Sequence, residues 1–418
     1  MKQATAPWRS PAWLSALFFG AWSYLSITSF ERPSMAYSQV VATHVLAVTA
    51  ALFIGLLRLG EKLTVPRHLL VPLCLCAVSV LVSWWWAVHR PLATDRLLLY
   101  YAVLLLGVAT YLLCRKGEPR DTLAYLLAIA LVHLFLLVAV LVWLRAVMEG
   151  ADDLARKIPF HSNIRHFSYH SYLAAAAAAS VVLLSRRLLL VPVLLTAAAL
   201  YGAVILGGRG ALYSWLVFVA VLLVITPQRK RFLLASVTAL LVAVAAAYFS
   251  HTAGLGAHLS LFARAELNSD VLYRSAGRLP IWRDAAHAIL AHPGFGYGPE
   301  GYVASHCCNP ATVQPHSFVL QFLMEFGVVG CMLLGVLVWR VQKAIAGAAG
   351  WRARLATSEE VRVLVAILAG FFVYAAVDGL LYHAVPLFHF AVLVALLAAA
   401  AHRAAQAMEA PGAAPRPA

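Results

Sequence analysis

Apolar runs of roughly 17 to 25 residues recur along almost the whole chain, and a run of that length and evenness has few folds open to it. Hydrocarbon offers no water to the backbone, so each run must satisfy its own N–H and C=O groups as a helix or share them in a closed barrel. The runs lack the short alternating pattern of outer-membrane strands, so they predict helices. About twelve are expected, near 12–30, 36–58, 68–88, 95–113, 122–146, 168–185, 188–206, 210–227, 232–250, 317–340, 361–382 and 386–402. With 63% hydrophobic and 12% charged residues, the composition excludes an ordinary soluble domain. The first run follows a short basic leader without a small-residue cleavage site, which predicts a retained span.

Arginine and lysine fall into alternate loops: Arg58, Lys62 and Arg67, then Arg115, Lys116 and Arg120, then Arg186 and Arg187, then Arg229, Lys230 and Arg231, then Arg340, Lys343, Arg352 and Arg354. The positive-inside rule makes that side cytoplasmic, with both termini. The expected organisation is nine spans over 1–250, an extracytoplasmic loop over 251–316, three spans over 317–402 and a disordered cytoplasmic tail from 403 to 418. The formal charge of +15 follows from this topology, and no aromatic-basic platform points to nucleic acid. Cys74, Cys76, Cys114 and Cys331 read as apolar filler. Cys307 and Cys308 are neighbours in the outer loop, and neighbours rarely bridge each other.

Polar residues gather on the outer side. Trp84, Trp85 and Trp86 read as an interfacial belt, with Arg90 and Arg96 beside it placed to meet lipid phosphate. Glu149, Asp152 and Asp153 raise the question of a metal, but adjacent aspartates on a helix point apart. His161, Arg165, His166 and His170 crowd the mouth of the sixth span, where Arg165 offers a forked donor to phosphate. The turn "GGRGA" holds Arg209 at the start of the eighth span, and an arginine beside a helix N-terminus is an anion site.

The stretch from 251 to 330 interrupts the spans. It carries Arg264, Arg274, Arg278 and Arg283 but no lysine. A helical pattern from about Leu279 to Ala291 reads as an amphipathic helix on the bilayer surface, tethered by Trp282. The turn "HPGFGYGPEG" reads as a loop able to close over a site, and His316 stands at the threshold of the next span. Arginines without lysine, beside a histidine at a membrane edge, suit a phosphorylated lipid and a proton transfer.

Three stretches together, "GGRGA", "GRLPIW" followed by "GFGYG", and "HSFVLQFLMEFGVVG", resemble the O-antigen ligases within the wider group of O-antigen polymerases and O-oligosaccharyltransferases. The resemblance implies an all-α polytopic fold of the GT-C-like glycosyltransferase kind, with short amphipathic helices in a periplasmic loop. It also implies transfer of a glycan from undecaprenyl pyrophosphate to a lipid A-core sugar in the bacterial inner membrane, with no metal or other cofactor. It maps the catalytic base to His316 and the pyrophosphate-binding arginines to Arg209 and Arg278, with Arg165 a looser match. The chemistry agrees: histidine suits proton removal from an attacking hydroxyl. Fixed arginines, including Arg274 or Arg283, suit the charge growing on pyrophosphate. A polymerase would use the same donor. A lipid or solute transporter is the rival of another class; Asp378 is the one intramembrane acid available to it, and it reads instead as a structural or outer-end polar contact.

Overall fold

The computed structural model describes residues 47, 49–50, 52, 66–148, 164–185, 189–255, 259–266, 278–305 and 312–409. The chain is helical, with no strand among the described residues. Helix α1 is Arg67–Trp85, α2 Arg90–Cys114, α3 Pro119–Met148, α4 Ile164–Leu184, α5 Leu190–Ile205, α6 Arg209–Ile225 and α7 Arg229–Thr252. After α8 (Leu261–Glu266), α9 (Arg278–Ala291) and α10 (Gly301–Ala304) come α11 (Phe318–Ala346), α12 (Gly350–Thr357), α13 (Glu359–Val377) and α14 (Ala384–Glu409). Eight of these are long and apolar enough to cross a membrane, and α5 and α6 are shorter apolar helices. They match the third to twelfth expected spans. The first two expected spans, 12–30 and 36–58, lie almost wholly outside the described residues.

Helix α4 is the hub. Its run Ala174–Ala179 is buried on every side, because methyl-sized side chains let neighbouring backbones approach. It packs against α3, α5, α6 and α13. Tyr172 OH donates a hydrogen bond to Ile367 O of α13 at 2.5 Å, and any side chain at Gly370 would collide with that hydroxyl. Helices α5 and α6 form a hairpin through Leu206–Gly208, where Gly207 takes a φ of 69°. Helix α14 packs along α2, and α11 along α1.

Helix α11 is broken at Gly327, where φ is 62° and ψ −173°. A break at membrane depth strands backbone groups, and the Gly-rich turn supplies their partners. Tyr297 N donates to Met324 O at 2.7 Å and Gly298 N to Glu325 O at 3.1 Å. In return Val328 N donates to Pro293 O at 2.8 Å and Val329 N to Gly294 O at 3.1 Å. A Cβ at Gly327 would run into Gly294 O, and one at Gly296 into Met324 O. The turn is therefore a plug seated in a helix break, which corrects the expectation of a loop that closes over a site.

Helix α9 has the expected extent but turns inward. Ile281, Ala285, Ala288 and Ile289, spaced i, i+4, i+7 and i+8, pack on Met324 of α11 and Tyr302 of α10. Trp282 gives its indole N–H to Pro315 O at 2.9 Å, so it fastens the segment before α11. Arg96 is likewise not at a lipid headgroup: it is 1% exposed and held by protein. Helix α14 continues to Glu409, so residues 403–409 of the expected tail are helix and 410–418 lie outside the described residues.

Candidate functional site

The site forms where α13 stops. Asp378 is the C-cap of α13, in extended conformation, and is 3% exposed. A buried carboxylate needs several donors to offset its lost hydration. It has them: Tyr169 OH donates to Oδ1 at 2.9 Å, Gly379 N to Oδ1 at 2.9 Å, and Arg278 Nη2 to Oδ2 at 2.8 Å. His316 Nδ1 lies 3.0 Å from Oδ1.

His316 sits in left-handed backbone, with φ 53°, a conformation that costs a non-glycine residue about 1–3 kcal/mol. Gln314, 2% exposed, holds it there by accepting the His316 N–H on Oε1 at 2.6 Å. The Gln314 amide nitrogen also lies 2.8 Å from His316 Nδ1, so carboxylate and amide compete for that ring nitrogen. The charged acceptor makes the stronger bond, which assigns the proton to Nδ1 and makes Nε2 the basic nitrogen. The Gln314 side chain packs on Gly379, where a Cβ would strike it, so the two loops are keyed together.

Arg278 opens α9, and its Nε is a buried donor without a hydrogen bond. Arg209 opens α6 and reaches the same end of the bundle through packing. Gly208 is pressed on Ser168 of α4 and Gly210 on the ring of Tyr374; that ring stands 5.3 Å from Tyr169, edge to face. Half-buried, Arg209 makes no side-chain hydrogen bond or ion pair with any described residue. Arg165 lies in the first turn of α4, four residues before Tyr169; only its backbone is described. Arg274 lies outside the described residues. Arg283 is not brought into the cluster: its side chain is 71% exposed and its ion-pair partner is its neighbour Asp284, at 3.6 Å. Five helical residues separate it from Arg278, which puts the two on different faces of α9.

Two further histidines border the site. His383 lies 4.0 Å, ring to ring, from His166 and 5.7 Å from Tyr169. Burial pulls its pKa down to about 3, against the pull of Asp378, so its imidazole is neutral. The residues that sequence reasoning missed are Asp378 as the centre of the cluster, Tyr169 and Gln314. The only signal was that Asp378 is a lone acid at the end of an apolar run.

The eight membrane-length helices define a multi-pass membrane protein, and at one end of its bundle a histidine oriented by a buried carboxylate stands beside guanidinium donors. Residues 193–335 match the family model described as O-antigen ligase. The match over these residues supports activity of the O-antigen ligase or polymerase type. The matched stretch contains Arg209, Arg278 and His316, whereas Tyr169 and Asp378 lie outside it. No curated protein matches the chain.

Proposed function

We propose that this chain is an O-antigen ligase that transfers a glycan from undecaprenyl pyrophosphate to a sugar hydroxyl of the lipid A core. The transfer takes place on the periplasmic face of the inner membrane. The observation that carries this reading is the linked set His316–Asp378–Arg278, in which one buried carboxylate holds both the base and a phosphate-binding cation. The acceptor hydroxyl gives its proton to His316 Nε2 as its oxygen bonds to the anomeric carbon. The bond from that carbon to the phosphate oxygen breaks, and its electron pair leaves on the pyrophosphate. Attack from the face opposite the leaving group inverts the anomeric centre.

Asp378 keeps the imidazole in the productive tautomer and faces the imidazolium that forms, the role a carboxylate plays behind a catalytic histidine elsewhere. Arg209 and Arg278, with Arg165 and Arg274, grip the pyrophosphate, where forked donors that never change protonation stabilise growing charge. The donor is already activated, so the step needs no nucleotide, and guanidinium groups take the place of a metal. Loops are arranged so that the basic stretches face the cytoplasm, which puts this end of the bundle outside.

A purified-protein assay with lipid-linked donor and core acceptor tests the reading. His316→Ala is expected to abolish transfer while donor still binds, and sustained turnover would remove His316 as the base. Extension of the donor with no core lipid present would make the enzyme a polymerase instead.

A further inference from the structure

Arg96 lies in the second turn of α2, and its hydrogen-bond and ion-pair partners belong to other elements. Its Nη1 donates to Tyr382 O at 2.6 Å and its Nη2 to Leu381 O at 3.3 Å. Its guanidinium stacks between the rings of Tyr100 and Tyr382, 4.6 and 4.7 Å from their centroids, and Nε lies 3.7 Å from Glu300 Oε1. Tyr382 OH donates to Glu300 Oε2 at 3.0 Å, and Glu300 itself takes a φ of 60° at the end of the Gly-rich plug. Tyr100 OH continues the set to Glu325 Oε2 at 2.8 Å, just before the break in α11 at Gly327, and Gln321 donates to the other oxygen at 2.9 Å.

An arginine and two carboxylates are a costly way to fill a core, since apolar side chains of similar volume are often as stabilising or more so. What the arrangement supplies is position. The loop from Asp378 to His383 is a single tight turn, with Tyr382 N and His383 N both donating to Gly379 O, at 3.0 and 3.2 Å. Fixing the carbonyls at 381 and 382 therefore fixes Gly379, whose N–H donates to Asp378, and so fixes the carboxylate. A planar, forked cation holds two carbonyls at once, which an ammonium does not.

We propose that Arg96, paired with Glu300, is a positioning residue of the transfer site: it clamps the Leu381–Tyr382 turn from α2 and thereby sets the Asp378 carboxylate against His316. This rests on the glycan-transfer reading above. The test uses the double variant Arg96→Met/Glu300→Gln in the full-length protein, which removes both charges together and leaves neither stranded. Expected is a folded yield near the parent's, a kcat about 10- to 100-fold lower, as displacement of a catalytic group by about an ångström produces, and a KM for lipid-linked donor within about twofold. Arg96→Lys is expected to fall between parent and double variant.

The deciding measurement is a cycle with Asp378→Asn. If Arg96 works through Asp378, adding the double variant to Asp378→Asn lowers kcat no further, whereas independent or merely structural effects multiply. Multiplicative losses, or a parental kcat in the double variant, would overturn the proposal. His316→Ala run alongside separates the two ideas. An active His316→Ala defeats the transfer reading itself, while an inactive one beside a parent-like double variant defeats only the positioning role.

Discussion

Apart from the buried Arg96, the two ends of the helical bundle use arginine in different ways. At the end where α13 begins, arginines are consumed by the protein. Arg403 of α14 donates to Cys114 O, to Thr122 Oγ1 at 3.3 Å and to Glu360 at 2.7 Å. Arg362 bonds Glu359 at 2.6 Å and the carbonyls of Leu355 and Ala356; Arg354 bonds Ala346 O at 3.1 Å. These cations satisfy the stranded carbonyls of helix ends and pair with Glu359 and Glu360, which sit in the first turn of α13 where negative charge is favoured. At the other end Arg209 has no such partner among the described residues, and Arg278 is held by a single carboxylate. Donors left over at a half-buried position suit an anionic substrate, and under the proposed function this difference separates cations that hold the fold from cations that would grip the pyrophosphate.

That contrast is open to breakage by substitution. The largest effect is expected from Asp378→Asn, which leaves the fold in place but loses the charge behind His316; transfer should fall by about a thousandfold, measured as kcat. A loss under tenfold would deny Asp378 any part in the chemistry. Arg209→Lys comes next, with turnover down about a hundredfold and thermal stability unchanged, since a point charge replaces a fork.

At the opposite end the signs reverse. Arg403→Met strands Glu360 and should cost about 3–5 kcal/mol of stability, seen as a lower melting temperature in detergent, while the kcat of the folded fraction stays parental. If Arg403→Met instead loses turnover at full stability, the division between the ends is wrong.

The smallest effect concerns Glu300. Burial lifts its carboxyl to about 7, against the pull of Arg96, well above its ordinary value near 4.5. A folded value raised above the unfolded one means the native state holds the proton more tightly. Its stabilising share is therefore complete below about pH 4.5 and lost as pH rises through about 7. Melting temperature should decline across that window, and Glu300→Gln should flatten the decline. An unchanged slope in Glu300→Gln would assign it to another group.

How far the site could be read in advance depends on distance along the chain. His316, Arg209 and Arg278 each stand at a local landmark, a span threshold, a two-glycine turn and the start of an amphipathic helix, so their neighbours already mark them. Asp378 has no such mark. Its partners lie 62, 100 and 209 residues away, at His316, Arg278 and Tyr169, and no local pattern announces a contact across that separation. Arg283 shows the converse: it shares the loop and residue type of Arg278, but the turn of the helix sends it to solvent. The glycines of "GFGYG" announce an unusual backbone without saying which one. Only the carbonyls freed at Gly327 explain why the turn must be bare.

Sequence by itself determined that this chain is a bundle of membrane-length helices, because burying backbone in hydrocarbon permits little else to a run of apolar residues. It also determined which loops carry fixed positive charge. The tertiary structure decided which of those charges are spent and which remain. It also decided that one acid at a helix end joins the histidine to an arginine, that a glycine plug mends a broken helix, and that Arg96 is buried. The reason is that the energy of a charge in a protein is set by the donors and acceptors within a few ångströms of it, and folding, not chain order, chooses those neighbours.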